Sequence, residues 1–283
     1  MTNDRYTIRT MSATELDIAV DWAAKEGWNP GLADATCFRA QDPDGFLLGA
    51  LDGEPIASIS VVRYGASYGF LGFYICVPEA RGKGYGLRLW EKASERLADR
   101  VVGLDGVVAQ QQNYARSGYV LAHRNVRLGG RVDIPLVPGE EGLVDIATLP
   151  FERLTAYDRP FFAGPREAFL RCWLKADRRQ GLALVRNGEL AGYGVVRECR
   201  EGSKIGPLFA DDEAGADLLF RGLAAKAQGR NIYLDIPEPH AAAWSLGRRY
   251  GLAPSFETAR MYRGPAPDLP LSRIYGITTF ELG

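Results

Sequence analysis

This 283-residue chain repeats itself weakly at an offset of about 130–137 residues, and that repeat constrains its fold more than any other feature. Gly53-Glu54-Pro55-Ile56-Ala57-Ser58-Ile59-Ser60-Val61-Val62-Arg63 parallels Gly188-Glu189-Leu190-Ala191-Gly192-Tyr193-Gly194-Val195-Val196-Arg197. Each copy follows an apolar stretch, and Asp52-Gly53 and Asn187-Gly188 are two-residue hairpin signals. Further on, Leu104-Asp105 parallels Leu234-Asp235, and Arg116-Ser117-Gly118-Tyr119 parallels Arg249-Tyr250-Gly251-Leu252. A helical run over 87–97 parallels one over 218–227. Single matches of this kind arise by chance between any two α/β halves; their shared order argues for a duplicated fold. The length agrees, being about twice that of an ordinary domain. A turn-forming, charged stretch at 137–142 is the expected joint. The expectation is therefore a mixed α/β chain of two like domains, 1–137 and 138–283.

The chemistry concentrates in the first copy. An apolar run, Phe70-Leu71-Gly72-Phe73-Tyr74-Ile75-Cys76-Val77, ends at Pro78. Arg81-Gly82-Lys83-Gly84-Tyr85-Gly86 follows, then the helical run that begins at Leu87. The glycines thus sit where a strand hands over to a helix. A helix N-terminus carries unpaired N–H groups and a positive dipole end. Glycines let that backbone approach a phosphate, and Arg81 and Lys83 add charge. A P-loop would need Ser or Thr after the Lys, where Gly84 stands. The dinucleotide fingerprint Gly-x-Gly-x-x-Gly fails too, because Gly82, Gly84 and Gly86 are evenly spaced. The remaining plain reading is a flexible basic turn.

Arg81, Gly84 and Gly86, after an apolar strand and a Pro, resemble the coenzyme A loop Arg-x-x-Gly-x-Gly of the GCN5-related N-acetyltransferases. Tyr114-Ala115-Arg116-Ser117-Gly118-Tyr119 matches the later pattern of that family, a Tyr, then about four residues, then an aromatic. The segments Glu26-Gly27-Trp28-Asn29-Pro30-Gly31 and Gln110-Gln111-Gln112-Asn113-Tyr114 resemble a bacterial two-domain branch of it. The resemblance implies a tandem fold of two such domains and acetyl-CoA as the cofactor. It implies that the amides from Gly82 through Lys83, Gly84, Tyr85 and Gly86 to Leu87 hold the pyrophosphate. The backbone of Tyr74, Ile75 and Cys76 would pair with the pantetheine arm, and one amide there would polarise the thioester carbonyl.

Tyr114 is the candidate general acid for the leaving thiolate, since a phenol stays protonated at neutral pH. Its plainer reading is an aromatic packing residue. The base is less legible. Relatives carry an Asn about seven residues before the Tyr, where this chain has Val107, and often a Glu on the preceding strand, where it has apolar residues. Asp105 is the nearest acidic candidate, as base or amine-binding carboxylate; Asp235 at the matching place of the second copy favours a structural role instead. A water chain is the other route for the proton. Trp28 and Asn29 are candidate acceptor-pocket residues, with Trp28 equally readable as core. The stretch over 274–282 has β character, and a terminal strand closes the inter-domain sheet in two-domain relatives.

The second copy lacks this chemistry. Asp211-Asp212-Glu213-Ala214-Gly215-Ala216-Asp217 stands where the basic glycine loop would be, and its carboxylates would repel a pyrophosphate. Gly247 matches Tyr114 and carries no acid. One acetyl-CoA site per chain is expected, in the first half, with the second shaping the acceptor pocket or the assembly.

The rest of the sequence mostly excludes. A net charge of −1 gives no footprint for nucleic acid or anionic membrane. No apolar run has the length of a membrane span, and the N-terminus lacks a signal-peptide core. Cys37, Cys76, Cys172 and Cys199 are dispersed and read as reduced core thiols of a cytoplasmic protein. His123 and His240 stand in no metal-ligand spacing, so no metal is expected. The leading reading is an N-acetyltransferase that moves acetyl from acetyl-CoA to a small-molecule amine through a ternary complex. A non-catalytic acyl-CoA-binding module and an aminoacyl-tRNA-dependent transferase are the alternatives; the second would want a basic tRNA-facing surface. The chain is expected to be a monomer or homodimer, since duplication already supplies a pseudo-dimer.

Overall fold

In the computed structural model the described residues are 5–134, 142–227 and 229–283. The expected joint at 137–142 lies outside them except for Gly142. The first half runs β1 (Tyr6–Thr10), α1 (Leu16–Lys25), α2 (Asp34–Gln41), β2 (Phe46–Leu51), β3 (Glu54–Tyr64), β4 (Tyr68–Cys76), α3 (Tyr85–Glu95), β5 (Val101–Val107), α4 (Gln111–Arg116) and β6 (Val120–Arg131). The second repeats that order: β7 (Leu143–Asp145), α5 (Phe151–Asp158), α6 (Glu167–Trp173), β8 (Arg179–Arg186), β9 (Glu189–Glu198), β10 (Ser203–Ala210), α7 (Glu213–Lys226), β11 (Asn231–Pro237), α8 (Ala241–Arg249) and β12 (Ala253–Arg263). A last short strand, β13 (Ile274–Gly276), has no counterpart among the described residues of the first half.

Both expected hairpins form. Asp52-Gly53 and Asn187-Gly188 join β2 to β3 and β8 to β9 with all four residues at positive φ (52° and 86°; 52° and 82°). That is the backbone of a type I′ turn, whose twist matches the strands it joins.

All strands belong to one mixed sheet in the order β1-β2-β3-β4-β5-β12-β6-β11-β10-β9-β8-β7, with β13 paired to β10. The order is a palindrome with one exchange: β12 lies beside β5 of the first half, and β6 beside β11 of the second. The sequence border between the halves is therefore not their border in space. The cores show the same exchange. Ala259 and Met261 of β12 complete the cluster built on Leu89, Trp90 and Ala93 of α3. Val126 and Leu128 of β6 complete the one around α7. Asn125 pairs opposite Thr258, its own repeat equivalent 133 residues along the chain, so the pseudo-two-fold passes between them. Burying both faces of each exchanged strand makes the halves one folding unit.

The exchange is reinforced by two equivalent buried ion pairs. Arg260 of β12 grips Asp105 of β5 through Nε and Nη2 (2.8 and 2.6 Å). Arg127 of β6 grips Asp235 of β11 in the same way (2.7 and 2.9 Å). Breaking one partner of such a pair would strand a buried charge.

The reduced-thiol expectation is corrected at two positions. Cys37 of α2 and Cys172 of α6 form a disulfide, with Cα atoms 5.2 Å apart. Their separation of 135 residues is the repeat offset, so the bond joins equivalent helices across the pseudo-two-fold. The residues are distant in sequence but adjacent because α2 packs on α6. Cys76 and Cys199 are free. Among the described residues, no helix is long and apolar enough to cross a membrane, and no group of His, Cys, Asp and Glu could hold a metal ion.

The stretch after β12 does not close the inter-domain sheet; β6 and β12 do that. Instead β13 enters the second half, where β10 and β11 diverge after Ile205 and Leu234. It pairs with β10 at Leu208 and Phe209, and Ile277 N–H donates to Asp235 O on the β11 side.

Candidate active site

In the first half the equivalent divergence stays open. Parallel pairing of β4 with β5 stops at Leu71 opposite Leu104, while β3 continues to pair with Ser58 opposite Ile75 and Ala57 opposite Cys76. The register with β3 shifts between Ser58 and Ser60, and Phe73 has φ +47°. A bulge here bends β4 away from β5. Ser58 Oγ donates to Phe73 O (2.8 Å) and holds the bulge in place. A glycine inside a strand, as at Gly72, is the local feature that goes with such a bulge. From Phe73 on, one edge of β4 faces a cleft.

That cleft has a volume of about 510 Å³. It is lined by Tyr74, Ile75 and Cys76 of β4; Arg81, Gly82, Gly84, Gly86 and Leu87 of the loop and first turn of α3; and Val107, Gln110 and Tyr114 on the opposite side. Glu26 and Trp28 complete it. Lys83 and Tyr85 are not among its lining residues. Lys83 is exposed, and Tyr85 O accepts from Tyr6 Oη (3.1 Å).

The loop's glycines have separate reasons. Gly82 and Gly84 are at φ +74° and +83°. Gly86 allows close approach: a Cβ there would lie 3.0 Å from Tyr74 Oη. Gly84 is the N-cap of α3 and offers no side-chain cap. The first helical bond runs from Arg88 N–H to Gly84 O, so the amides of Tyr85, Gly86 and Leu87 have no partner within the helix. An exposed, uncapped N-terminus of this kind accepts an anion. Arg81 braces the end of β4 rather than pointing free: Nε donates to Cys76 O (2.8 Å) and Nη2 to Glu26 Oε1 (2.5 Å). Burial pushes the Cys76 thiol up, against the pull of Arg81.

Tyr114 sits on α4 at the inner end of the cleft, only 7% exposed. Its ring stacks on Trp90 (5.7 Å) and fits because residue 106 is Gly, where a Cβ would come within 2.2 Å of the ring. Burial first, then the Tyr74 phenol, raises its pKa, against a Val107 backbone hydrogen bond. Burial likewise pushes Tyr74 up to about 12. Tyr114 is thus a firmly protonated phenol at a cleft wall.

A second, small cavity of about 30 Å³ adjoins the cleft, with room for about two waters. Trp28, Tyr74, Val107 and Tyr114 line both. Its far side comes from the second half: Phe256, Thr258, Phe280 and Glu281. Sequence reading missed these four: Phe256 and Thr258 come on the exchanged strand β12, Phe280 and Glu281 on the segment after β13, and nothing local marks either reach.

The remaining candidates divide. Trp28 reaches both cavities, and its carbonyl is fixed by Arg127 Nη1 (2.8 Å) and Lys204 Nζ (3.3 Å). Asn29 is not brought to either cavity. Its Nδ2 donates to Glu201 O (2.8 Å) and its Oδ1 accepts from Glu201 N–H (3.2 Å), tying two loops together. Asp105 borders the small cavity, but both its oxygens are taken by Arg260, and Oδ1 also accepts from Asn125 Nδ2 (2.7 Å). The same pairing recurs at Asp235, in the half whose strand divergence is filled by β13.

Comparison with known proteins agrees with this geometry. Residues 13–119 match the model of the acetyltransferase (GNAT) family, and residues 154–276 match that of an acetyltransferase (GNAT) domain. The chain is 35% identical to a holothin acyltransferase of Pseudoalteromonas sp. over 98% of its own length and 95% of that protein's. A putative acetyltransferase from Pyrococcus horikoshii superposes with a TM-score of 0.84 at 21% identity, covering 100% of this chain and 98% of that one. A tandem GNAT protein from the clavulanic acid biosynthesis pathway does so at 0.63 and 16% identity, covering 93% and 100%. With two matched domains, a shared sheet order in each half and a full-length acyltransferase relative, this chain belongs to the GNAT acyltransferases and carries two GNAT domains in tandem.

Proposed function

We propose that the chain transfers an acetyl group from acetyl-CoA to a primary amine of a small molecule, in the first half, by direct transfer through a ternary complex. The carrying observation is the cleft between β4 and β5, which joins an uncapped glycine-rich helix N-terminus at one end to a protonated, buried Tyr114 at the other. Its residues fit the cofactor. Amides from Gly82 to Leu87 hold the pyrophosphate, with Lys83 adding charge from the surface. The open edge of β4 at Tyr74, Ile75 and Cys76 offers hydrogen bonds to the pantetheine arm. Acetyl-CoA supplies the activated acyl group as a thioester. Tyr114 Oη protonates the departing sulfur. Trp28 shapes the amine's approach, and Asp105 positions β12 through Arg260. Asn29 holds the loop behind Trp28. The chain works in the cytoplasm as a monomer or homodimer, its exchanged strands already giving one chain the interface of a dimer.

Titration calorimetry with acetyl-CoA, followed by a thiol-release assay over a panel of amines, tests this. Holothin, named in the relative, is the first acceptor to try. Binding with stoichiometry near one and turnover on an amine are expected. Absence of binding at high micromolar acetyl-CoA overturns the proposal; binding without turnover on any acceptor leaves a non-catalytic acyl-CoA binder.

A further inference from the structure

The acyl-transfer reading lacks a base, and the second half supplies a carboxylate where one is wanted. Glu281 lines the small cavity together with Tyr74, Tyr114, Trp28 and Thr258. It is 1% exposed, and neither carboxylate oxygen has a hydrogen-bond partner. A buried carboxylate without a partner is costly, and such groups mark a function or a missing ligand. Thr258 Oγ1, on the same cavity wall, is also buried and unpartnered. Two residues with orphaned, buried polar groups thus line one small cavity, and an ammonium or amine entering it would offer those groups a partner.

We infer that Glu281 is the general base that accepts a proton from the incoming amine, carried into the active half by the segment after β13. This rests on the acyl-transfer reading above. The segment is fixed along its length. Ile277 N–H donates to Asp235 O, Leu282 N–H to Thr279 Oγ1 (2.9 Å), and Tyr64 Oη to Leu282 O (3.1 Å). Glu281 O lies against Gly72, where a Cβ would come within 2.1 Å of it. Glycine at the start of the β4 bulge therefore lets this segment reach the cavity.

The charged groups around Glu281 come from four other elements: Lys204 on β10, Arg197 on β9, Arg127 on β6 and Asp34 on α2. Each has a partner, although Arg197 Nη2 is itself buried without one. Arg127 holds Asp235 and Trp28 O, Arg197 holds Asp34 and Gly206 O, and Lys204 holds Trp28 O. Across the cavity stand Asp105, held by Arg260, and the phenols of Tyr74 and Tyr114. Burial raises Glu281 above the ordinary carboxylate range, against the nearby cations. That moves a carboxylate toward the basicity a general base uses at neutral pH.

The protons balance. The Glu281 carboxylate takes one proton from the substrate ammonium and leaves a neutral amine. The amine nitrogen bonds to the thioester carbonyl carbon as the carbon–sulfur bond breaks. Tyr114 Oη gives its proton to the departing sulfur and recovers one from the new amide nitrogen. Glu281 then releases its proton to solvent, so the net yield is amide, free thiol and one proton.

Glu281→Gln tests the assignment with an alkylamine acceptor that the wild type uses. The expected loss in kcat/KM at pH 7 is about 10²- to 10³-fold, with the acetyl-CoA Kd unchanged. The wild-type rate falls as pH drops through the Glu281 titration, and that limb disappears in the variant. An acceptor of low pKa, which enters already neutral, should lose less than about tenfold. Glu281→Asp keeps the acid but shortens its reach; it should show the same contrast between acceptors, and it decides the matter if the Gln variant fails to fold. A Gln variant with wild-type rate and pH limb overturns the inference. So does an equal loss on both classes of acceptor. Failure of the wild type to bind acetyl-CoA would instead remove the acyl-transfer reading itself.

Discussion

The two halves share every strand and helix of the repeat, yet only one keeps an open site, and they differ at the two ends of that site. At the loop, α3 begins at Gly84 with no side-chain cap, whereas α7 begins at Asp212, whose Oδ1 accepts from Gly215 N–H (2.7 Å). Arg186 Nη1 in turn pairs with Asp212 Oδ2 (2.5 Å). The second half thus carries its own anion where the first would take one from a ligand. At the cleft, β4 and β5 part and leave space, while β13 fills the gap between β10 and β11. Gly276 fits there because a Cβ would meet Leu234 at 2.7 Å and Leu208 at 3.2 Å. A fold can keep its backbone and lose its site by satisfying the same unpaired groups internally. The aspartates at the second loop are paired rather than bare: Asp211 with Arg273 and Tyr157, and Asp217 with Arg221, Arg249 and Tyr250.

Copying the second half's cap into the first should break the comparison most severely. Gly84→Asp places a carboxylate at the N-terminus of α3. At an effective dielectric of about 20, like charges about 4 Å apart repel by about 4 kcal/mol. The acetyl-CoA Kd should therefore rise about 10³-fold by calorimetry. Position 84 has positive φ, which Asp adopts at a cost of about 1 kcal/mol, so melting should fall only slightly. A Kd within threefold of wild type would show that the loop does not hold the phosphates.

The disulfide ties the halves at equivalent positions, away from both sites. Closing a loop of 135 residues restricts the unfolded chain. We expect reduction, or the double change Cys37→Ser with Cys172→Ser, to cost about 3 kcal/mol. At about 2–4 °C per kcal/mol, calorimetric melting should fall by about 6–12 °C. Acetyl-CoA affinity should not change. An unchanged melting temperature would mean that packing of α2 on α6 suffices without the bond.

Tyr114→Phe sharpens the comparison at the catalytic end, since Gly247 occupies the matching place in the second half. The ring still stacks on Trp90, so fold and acetyl-CoA binding should persist, while kcat falls about 10²-fold. The raised pKa of Tyr114 sets the sign of the pH dependence: the acid form persists to higher pH. The wild type should therefore show no alkaline loss from this group below about pH 10. Unchanged kcat in the Phe variant removes the acid role.

The repeat, the hairpins and the glycine loop were legible because each depends on residues close in sequence. Asp52-Gly53 needs only its own positive φ values, and Gly84 only its place before a helix. Asp105 was readable in part: its recurrence as Asp235 pointed to structure, and both prove to be gripped by arginines of exchanged strands. The exchange itself was not legible, because β6 and β12 look the same whichever half they join. That hid Thr258, which reaches the first half's cavity through it; Glu281 arrives instead on the segment after β13. The disulfide was hidden because the packing of α2 on α6 is a long-range contact, although its spacing repeats the offset. Trp28 and Asn29 are neighbours with different fates, decided by a positive φ of 50° at Asn29 that turns its side chain to Glu201.

The smallest change asks whether the loop alone makes a site. Asp212→Ala removes the cap of α7 and leaves its first amides unpaired, as at α3. Loss of an Asp N-cap costs about 1 kcal/mol, which urea unfolding at pH 7 should resolve. The Gly215 backbone N–H, then Arg186, holds the Asp212 carboxyl below the ordinary carboxylate range. A carboxyl lowered in the folded state stabilises fully above its unfolded value, and that contribution is lost as pH falls through the folded one. The difference between wild type and variant should therefore be constant near neutrality and shrink only below about pH 4. Calorimetry should still find one acetyl-CoA per chain, because β13 continues to occupy the space beside β10. A second equivalent bound by Asp212→Ala would show that the cap alone had closed the site, and that the strand which fills the gap yields to ligand.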